Sequence, residues 1–258
     1  MKSRLDRLIV ERGLADSREK AQALVMAGEV LVNGQKAAKP GQQVGEDAVL
    51  EVLARPPYVS RGGLKLAAAL REFQIDVTGA VCLDVGASTG GFTDALLQAG
   101  AARVHAVDVG AGQLAWSLRT DARVILHEGI NAREVKPEDI GELVDFIAVD
   151  VSFISVSLIL PAVVPLLRAD APGAVPPPAR APSLLRPPGQ MVILIKPQFE
   201  VGKGQVGKGG IVRDPALHRA ACERVTDAVR QFGFETAIID SPILGAEGNR
   251  EFLLHAHH

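Results

Sequence analysis

VCLDVGASTGGFTDALLQAGAARVHAVDVGAGQL, residues 81–114, reads as an apolar strand, a glycine-rich turn, a helix and a second strand that stops at Asp108. That order is the first half of a nucleotide-binding βαβ unit. Gly86, Gly90 and Gly91 allow a sharp turn and a close approach of ligand to backbone. Asp108 stands where a carboxylate accepts hydrogen bonds from both ribose hydroxyls of an adenosine. Spacing then separates two classes of adenosine cofactor. A dinucleotide fingerprint reads GxGxxG, whereas Gly86 is followed by Ala87, Ser88, Thr89, Gly90 and Gly91, so the second glycine is missing.

Outward from this stretch, strands and helices alternate. Strands are expected at 80–85, 103–108, 123–127, 144–150, 190–196, 234–240 and 250–255, and helices near 91–99, 112–119, 155–168 and 214–232. Alternation of this kind gives an α/β fold, a parallel sheet with helices on both faces. The last two strands have no helix between them and should pair antiparallel at one edge. Residues 170–188, DAPGAVPPPARAPSLLRPP, read as an extended or disordered surface insertion.

Residues 1–53 read as a separate module. Leu5, Leu8 and Ile9, then Ala21, Leu24 and Val25, form two short helical stripes, with Ser17 a candidate N-cap. Asn33-Gly34 signals a hairpin, and AVLEV from Ala48 reads as a last strand. The paired prolines in ARPPYVSRGG mark residues 54–63 as a linker to a second domain, 64–258.

Composition narrows the partners. The chain has 258 residues, 47% of them apolar, enough to fill a substantial core. A formal charge of -2 gives no global pull toward phosphate, and 4% aromatics argue against a base-stacking platform, so any RNA contact must come from local cations. Cys82 and Cys222 form no CxxC pair and no histidines stand at ligand spacing, so neither disulfide nor zinc is supported. No apolar run is long enough to span a membrane and the N-terminus lacks a signal-peptide core, so a cytoplasmic protein without membrane association is expected.

Ligands of open α/β sheets sit at the carboxyl ends of the strands. FIAVDVSF puts Asp150 at one such end, and MVILIKPQFE puts Lys196 at another. A lysine after five apolar residues is costly to bury unless paired. Lys65 in SRGGLKLAAAL and Glu251 in GNREFLLH complete a set of two lysines and two acids, with Glu247 competing for the last place.

LDxGxxxGGF resembles the S-adenosylmethionine-dependent methyltransferases, in which the turn holds the amino-acid half of the cofactor. RLDRLIVERGLADSREKAQALVMAGEVLVNGQKA resembles the RNA-binding domain named after ribosomal small-subunit protein four. With SRGGLKL, LDVGASTGGFTD, AVDVGxGQL, INAR, DVSFIS, IKPQFEVGK and GIVRDP, nearly the whole chain resembles the haemolysin A or TlyA family of rRNA ribose methyltransferases, related to FtsJ/RrmJ. The resemblance implies a class I, Rossmann-like sheet behind a small α+β RNA-binding domain, and methylation of an rRNA ribose 2′-hydroxyl, with a cytidine as acceptor. It places the catalytic tetrad on Lys65, Asp150, Lys196 and Glu251. It places the cofactor on Gly86, Ser88, Thr89, Gly90, Phe92, Asp108 and, near the adenine, Asn131. Lys196 is the candidate base, Asp150 its orienting partner, and Glu251 a holder of the lysines; no metal is required. The linker lacks a tryptophan that the family pattern carries before VSRGG, and the insertion at 170–188 is longer than that pattern has.

Arg4, Arg7, Arg18 and Lys20 are the candidate phosphate contacts of the first module, against a reading as solvated charges balanced by Asp6, Glu11, Asp16 and Glu19. GKGQVGKGG nearly spells a phosphate-binding loop, but Gly209 replaces the magnesium-binding Ser or Thr. Lys203 and Lys208 are instead expected to meet phosphates of ribosomal RNA or a ribosomal subunit. Two other readings compete: a non-catalytic RNA-binding or ribosome-assembly factor, which a complete tetrad disfavours, and a haemolysin, which the absence of a spanning or basic amphipathic segment disfavours. The terminal HAHH is given no role.

Overall fold

Five apolar runs stack side by side in a seven-stranded sheet, and this sheet decides where polar residues meet. The computed structural model describes residues 2–53, 56–168, 189–245 and 247–258. The proline-rich 170–188 lies outside the described residues. By contacts the chain divides into two compact units, Met1–Pro56 and Pro57–His258.

In the first unit, β1 (Lys2–Arg4), α1 (Leu5–Glu11) and α2 (Arg18–Met26) precede β2 (Val30–Val32), β3 (Gln35–Lys36), β4 (Gln43–Gly45) and β5 (Leu50–Val52). Ser17 caps α2, its Oγ accepting the Lys20 amide at 3.2 Å. Asn33 and Gly34, at φ 51 and 77, make the two-residue turn between β2 and β3. Leu5, Leu8, Ile9, Ala21, Val25 and Val30 close a small core. The β1–β4 pair was not foreseen, and the last strand begins at Leu50, two residues later than expected.

The second unit opens with α3 (Gly62–Glu72) and continues through β6 (Val81–Val85), α4 (Gly91–Gln98), β7 (Arg103–Asp108), α5 (Trp116–Arg119), β8 (Val124–Glu128), α6 (Pro137–Ile140) and β9 (Phe146–Val149). It ends with α7 (Leu160–Val163), β10 (Gln190–Ile195), α8 (Pro197–Glu200), α9 (Pro215–Arg230), β11 (Glu235–Asp240) and β12 (Phe252–His257). Sheet order is β11-β12-β10-β9-β6-β7-β8, with β12 antiparallel to both neighbours. The expected antiparallel pair is therefore present, with β12 as its inner strand.

Helices cover both faces. Leu66, Ala69 and Leu70 of α3 and Phe92 and Leu96 of α4 pack on Cys82, Val104, Ala106, Ala148 and Leu194. Ala221, Val225 and Val229 of α9 pack with Ile159, Leu160 and Val163 on the other side, against Leu83, Ile147, Met191 and Ile193. Strands buried on both faces read as continuous apolar runs. Truncating one of these side chains, Leu83 for example, is expected to cost roughly 2–5 kcal/mol.

Three expectations change. The single helix at 155–168 is broken into 3-10 turns at Val156–Leu158 and Val164–Leu166 around α7, because Pro161 and Pro165 cannot donate backbone hydrogen bonds. The helix expected at 112–119 shrinks to α5. The last strand starts at Phe252 and runs through His257, where His255 Nε2 lies 2.7 Å from Gln190 Oε1, so His255 and His257 belong to the sheet.

Candidate active site

Parallel register aligns the tips of the central strands: Val85 pairs with Val107 on one side and Val149 on the other. Antiparallel β12 begins where β10 ends, with Phe252 opposite Ile195, so Glu251 arrives at the same edge from the other direction. Lys65 reaches it from α3. The sheet topology thus gathers all four members of the expected tetrad at one end.

They form two ion pairs. Lys196 Nζ lies 2.6 Å from Asp150 Oδ1 and donates to Ser152 Oγ at 2.8 Å. Lys65 Nζ donates to Glu251 Oε2 at 2.5 Å, and both residues are buried. Each lysine has its own carboxylate. Glu247, the competing acid, is exposed.

A cavity of about 270 Å³ joins this end to the glycine-rich turn. Lys65, Asp150 and Lys196 line it with Gly86, Ser88, Thr89 and Phe92. Gly86 has φ +88, and a Cβ there would overlap the Asp150 carbonyl, so glycine is required where the β6 and β9 tips touch. Ser88 also adopts a left-handed backbone, φ 49. Ser60, Arg61 and Ser152 line the cavity too, although nothing in the sequence reading singled them out. The linker is held there by α4: the Val59 amide donates to Asp94 Oδ2 at 2.8 Å, and Gln98 Nε2 donates to the Pro57 carbonyl at 2.8 Å.

Three expected cofactor residues are not among the cavity-lining residues described. Gly90, φ +98, leaves room for Leu114 and Leu118, so its place is in packing. Asp108 holds the loop around it, accepting from the amides of Ser88 and Gly110, each at 2.7 Å. Asn131 is exposed and accepts from the Arg133 amide at 3.1 Å.

Two acids escaped the sequence reading. Asp84, fully buried in β6, accepts at Oδ2 from the Thr93 amide at 2.8 Å and from Thr93 Oγ1 at 2.7 Å. Its Oδ1 has no hydrogen-bond partner among the described residues. Burial pushes this carboxyl up to about 7; the Thr93 bonds oppose that rise, and the charges of Asp150 and Asp108 add to it. An acid interrupting the apolar run VCLDV was the available signal. Glu200 on α8 is also buried, which raises its pKa, and it bonds the segment after β9.

In the first unit the candidate RNA contacts are all paired. Arg4 and Arg18 donate to Asp6, which is wholly buried and not a solvated balancing charge; their bonds hold its carboxyl well below the usual range. Arg7 meets Glu11 at 2.7 Å and Lys20 meets Asp16 at 2.6 Å, both on the surface. Lys208 is exposed in a 3-10 turn, Lys208–Gly210. The side chain of Lys203 is not described. No group of three or more histidine, cysteine or acidic side chains arranged to hold a metal occurs among the described residues, and no described helix is long and apolar enough to cross a membrane.

A doubly covered sheet with charged residues and a glycine turn on a cavity at its carboxyl end is the arrangement of an α/β enzyme. The FtsJ-like methyltransferase family matches residues 58–258 and the S4 domain matches residues 3–50. The chain belongs to the FtsJ-like methyltransferases, with an S4 domain ahead of the catalytic one. It is 45% identical over 256 residues to the 16S/23S rRNA (cytidine-2′-O)-methyltransferase TlyA of Mycobacterium tuberculosis, covering 98% of this chain and 89% of that protein. It is 41% identical over 254 residues to Hemolysin A of Brachyspira hyodysenteriae, covering 98% of each. The solved structure of a candidate hemolysin from Streptococcus thermophilus matches with TM-score 0.69 and 43% identity, over 99% of this chain and 88% of that one.

Proposed function

We propose that this protein is a cytoplasmic S-adenosylmethionine-dependent methyltransferase that modifies a ribose 2′-hydroxyl of a ribosomal RNA cytidine. The observation that carries the reading is the placement of Asp150, Lys196 and Lys65 on one cavity with the glycine turn. The names of the relatives support the acceptor.

The chain's residues fit the cofactor. A sulfonium is cationic, and Asp108 and Asp150 stand at the ends of two strands with Asp84 buried one residue short of the end of the strand between them, its Oδ1 unpartnered among the described residues. Gly86 leaves the backbone open beside Asp150. Gly86, Ser88, Thr89 and Phe92 would hold the amino-acid half, with Gly90 keeping the turn packed. Asp108 keeps a second lone pair on each oxygen for ribose hydroxyls, and Asn131 would lie near the adenine. When bound, S-adenosylmethionine supplies an electrophilic methyl group.

A ribose hydroxyl is a weak nucleophile and must lose its proton as the new C–O bond forms. Lys196 Nζ, once it has given its own proton to solvent, would take the hydroxyl proton, and Asp150 would stabilise the ammonium that re-forms. Lys65 offers a cation to the charge growing on the oxygen, and Glu251 positions Lys65. Base catalysis of this kind contributes about 10²–10⁴-fold, and alignment of the reacting atoms adds to it. Arg4, Arg7, Arg18 and Lys20 would meet RNA phosphates through their remaining N–H groups, with Lys203 and Lys208 as further contacts.

The test is transfer of labelled methyl from S-adenosylmethionine to purified ribosomal subunits, followed by digestion to nucleosides. The proposal expects label in 2′-O-methylcytidine. Label on a base overturns it, and cofactor binding without transfer to either subunit favours the RNA-binding scaffold.

A further inference from the structure

We infer that Glu200 is a positioning residue for Lys196, a buried clasp that fixes the loop carrying Asp150 and Ser152 against the loop carrying Lys196. The inference rests on the reading of Lys196 as the proton acceptor.

Glu200 follows Lys196 by one turn of α8 and is 2% exposed. Its Oε1 accepts from the Val156 amide at 2.8 Å and its Oε2 accepts from Ser155 Oγ at 2.6 Å. Both donors lie just beyond Asp150 and Ser152, the two residues that touch Lys196 Nζ. The Arg224 guanidinium on α9 donates to the Glu200 carbonyl and ties the clasp to the helical layer. Two loops from different strands are therefore joined at the cavity by Lys196 and at the buried base by Glu200.

The loop needs such an anchor. Phe153, between Ser152 and Ser155, has φ +64 and is 91% exposed. A left-handed backbone at a large non-glycine residue is strained and persists only where its surroundings enforce it. The ring meets Phe199 of α8 at 5.2 Å between centroids, and Glu200 on the same helix grips the two residues that end the strained stretch. A carboxylate also suits the task better than an amide, because it offers one acceptor to each of two donors. Burying it is costly, and the two bonds offset that cost.

Glu200→Ala is expected to slow single-turnover methyl transfer about ten- to a hundredfold, the scale of a misplaced catalytic group. The Kd for S-adenosylmethionine should stay within about threefold, since Glu200 is not among the described residues lining the cavity. Glu200→Gln should recover part of the rate, and Ser155→Ala, which removes one donor, should give an intermediate loss. Hydrogen exchange supplies a readout independent of turnover: amides in 150–156 should exchange at least about tenfold faster in Glu200→Ala, while those in 81–92 keep their wild-type rates. Wild-type exchange at 150–156, or a wild-type rate in an active preparation, overturns the inference. So does a parallel loss of rate and cofactor affinity, which would make Glu200 a support of the whole fold. If Glu200→Ala fails to fold, Ser155→Ala decides by the same measurements. A wild-type protein that methylates no RNA but shows the exchange difference would sink the function of Lys196 and leave the clasp standing.

Discussion

Ion pairs of nearly equal length occupy opposite settings in the two units. Arg7–Glu11 at 2.7 Å and Lys20–Asp16 at 2.6 Å join residues one helical turn apart on an exposed surface. Lys196–Asp150 at 2.6 Å and Lys65–Glu251 at 2.5 Å join residues brought together only by the sheet, largely shielded from water. Water screens the first kind, and either partner leaves it at little cost. The second kind is fixed by strand register, and removing one partner strands a charge in low dielectric. On the proposed function, the exposed set would exchange its acids for RNA phosphates and the enclosed set would hold the nucleophile in place.

The contrast breaks most visibly at Glu251. Glu251→Ala leaves Lys65 buried without its acid, and denaturant unfolding should show a loss of about 3–5 kcal/mol. The double variant Lys65→Met, Glu251→Leu should regain most of that stability and none of the methyl transfer. A Glu251→Ala protein as stable as wild type would mean that the enclosed pair is no more consequential than the surface ones.

Asp84 sharpens the same point through pH. Its folded-state pKa of about 7 lies above the ordinary 3.8, so between those values the folded state holds a proton that the unfolded state has lost. Stability from this group is full below about 4, falls as pH rises, and is gone above about 7. Unfolding at pH 5 and pH 8 should differ by roughly 3 kcal/mol from this carboxyl alone. Asp84→Asn, which can still accept from Thr93, should flatten that slope, and an unchanged slope would assign it to other groups.

The smallest effect belongs to the surface pairs. Lys20→Ala should leave the unfolding midpoint at its wild-type value, yet weaken RNA binding and lower its salt slope by about one. A marked loss of stability with an unaltered salt slope would reverse the contrast.

How much of this was legible depended on the range of the interaction. The alternation of strands and helices, the glycine turn, and Asp150 and Lys196 at strand ends follow from local pattern, and the structure places them together. The pairing of Lys65 with Glu251, instead of two lysines facing each other, follows from β12 running against β10, which no local period reveals. Glu200 and Ser155 are 45 residues apart and meet only because the loops after β9 and β10 adjoin. Asp84 had a local signal, an acid inside an apolar strand, but its missing partner at Oδ1 is visible only in three dimensions. Pro161 and Pro165 were legible as helix breakers, and the expected helix at 155–168 overran them.

The most direct test of the central claim, that the enclosed charges perform the chemistry, is the single-turnover rate of Lys196→Ala on ribosomal subunits, with cofactor affinity measured by calorimetry on the same preparation. The account predicts a rate reduced by about 10²–10⁴-fold with cofactor affinity close to wild type. Transfer at the wild-type rate would contradict it and move the base elsewhere on the cavity wall.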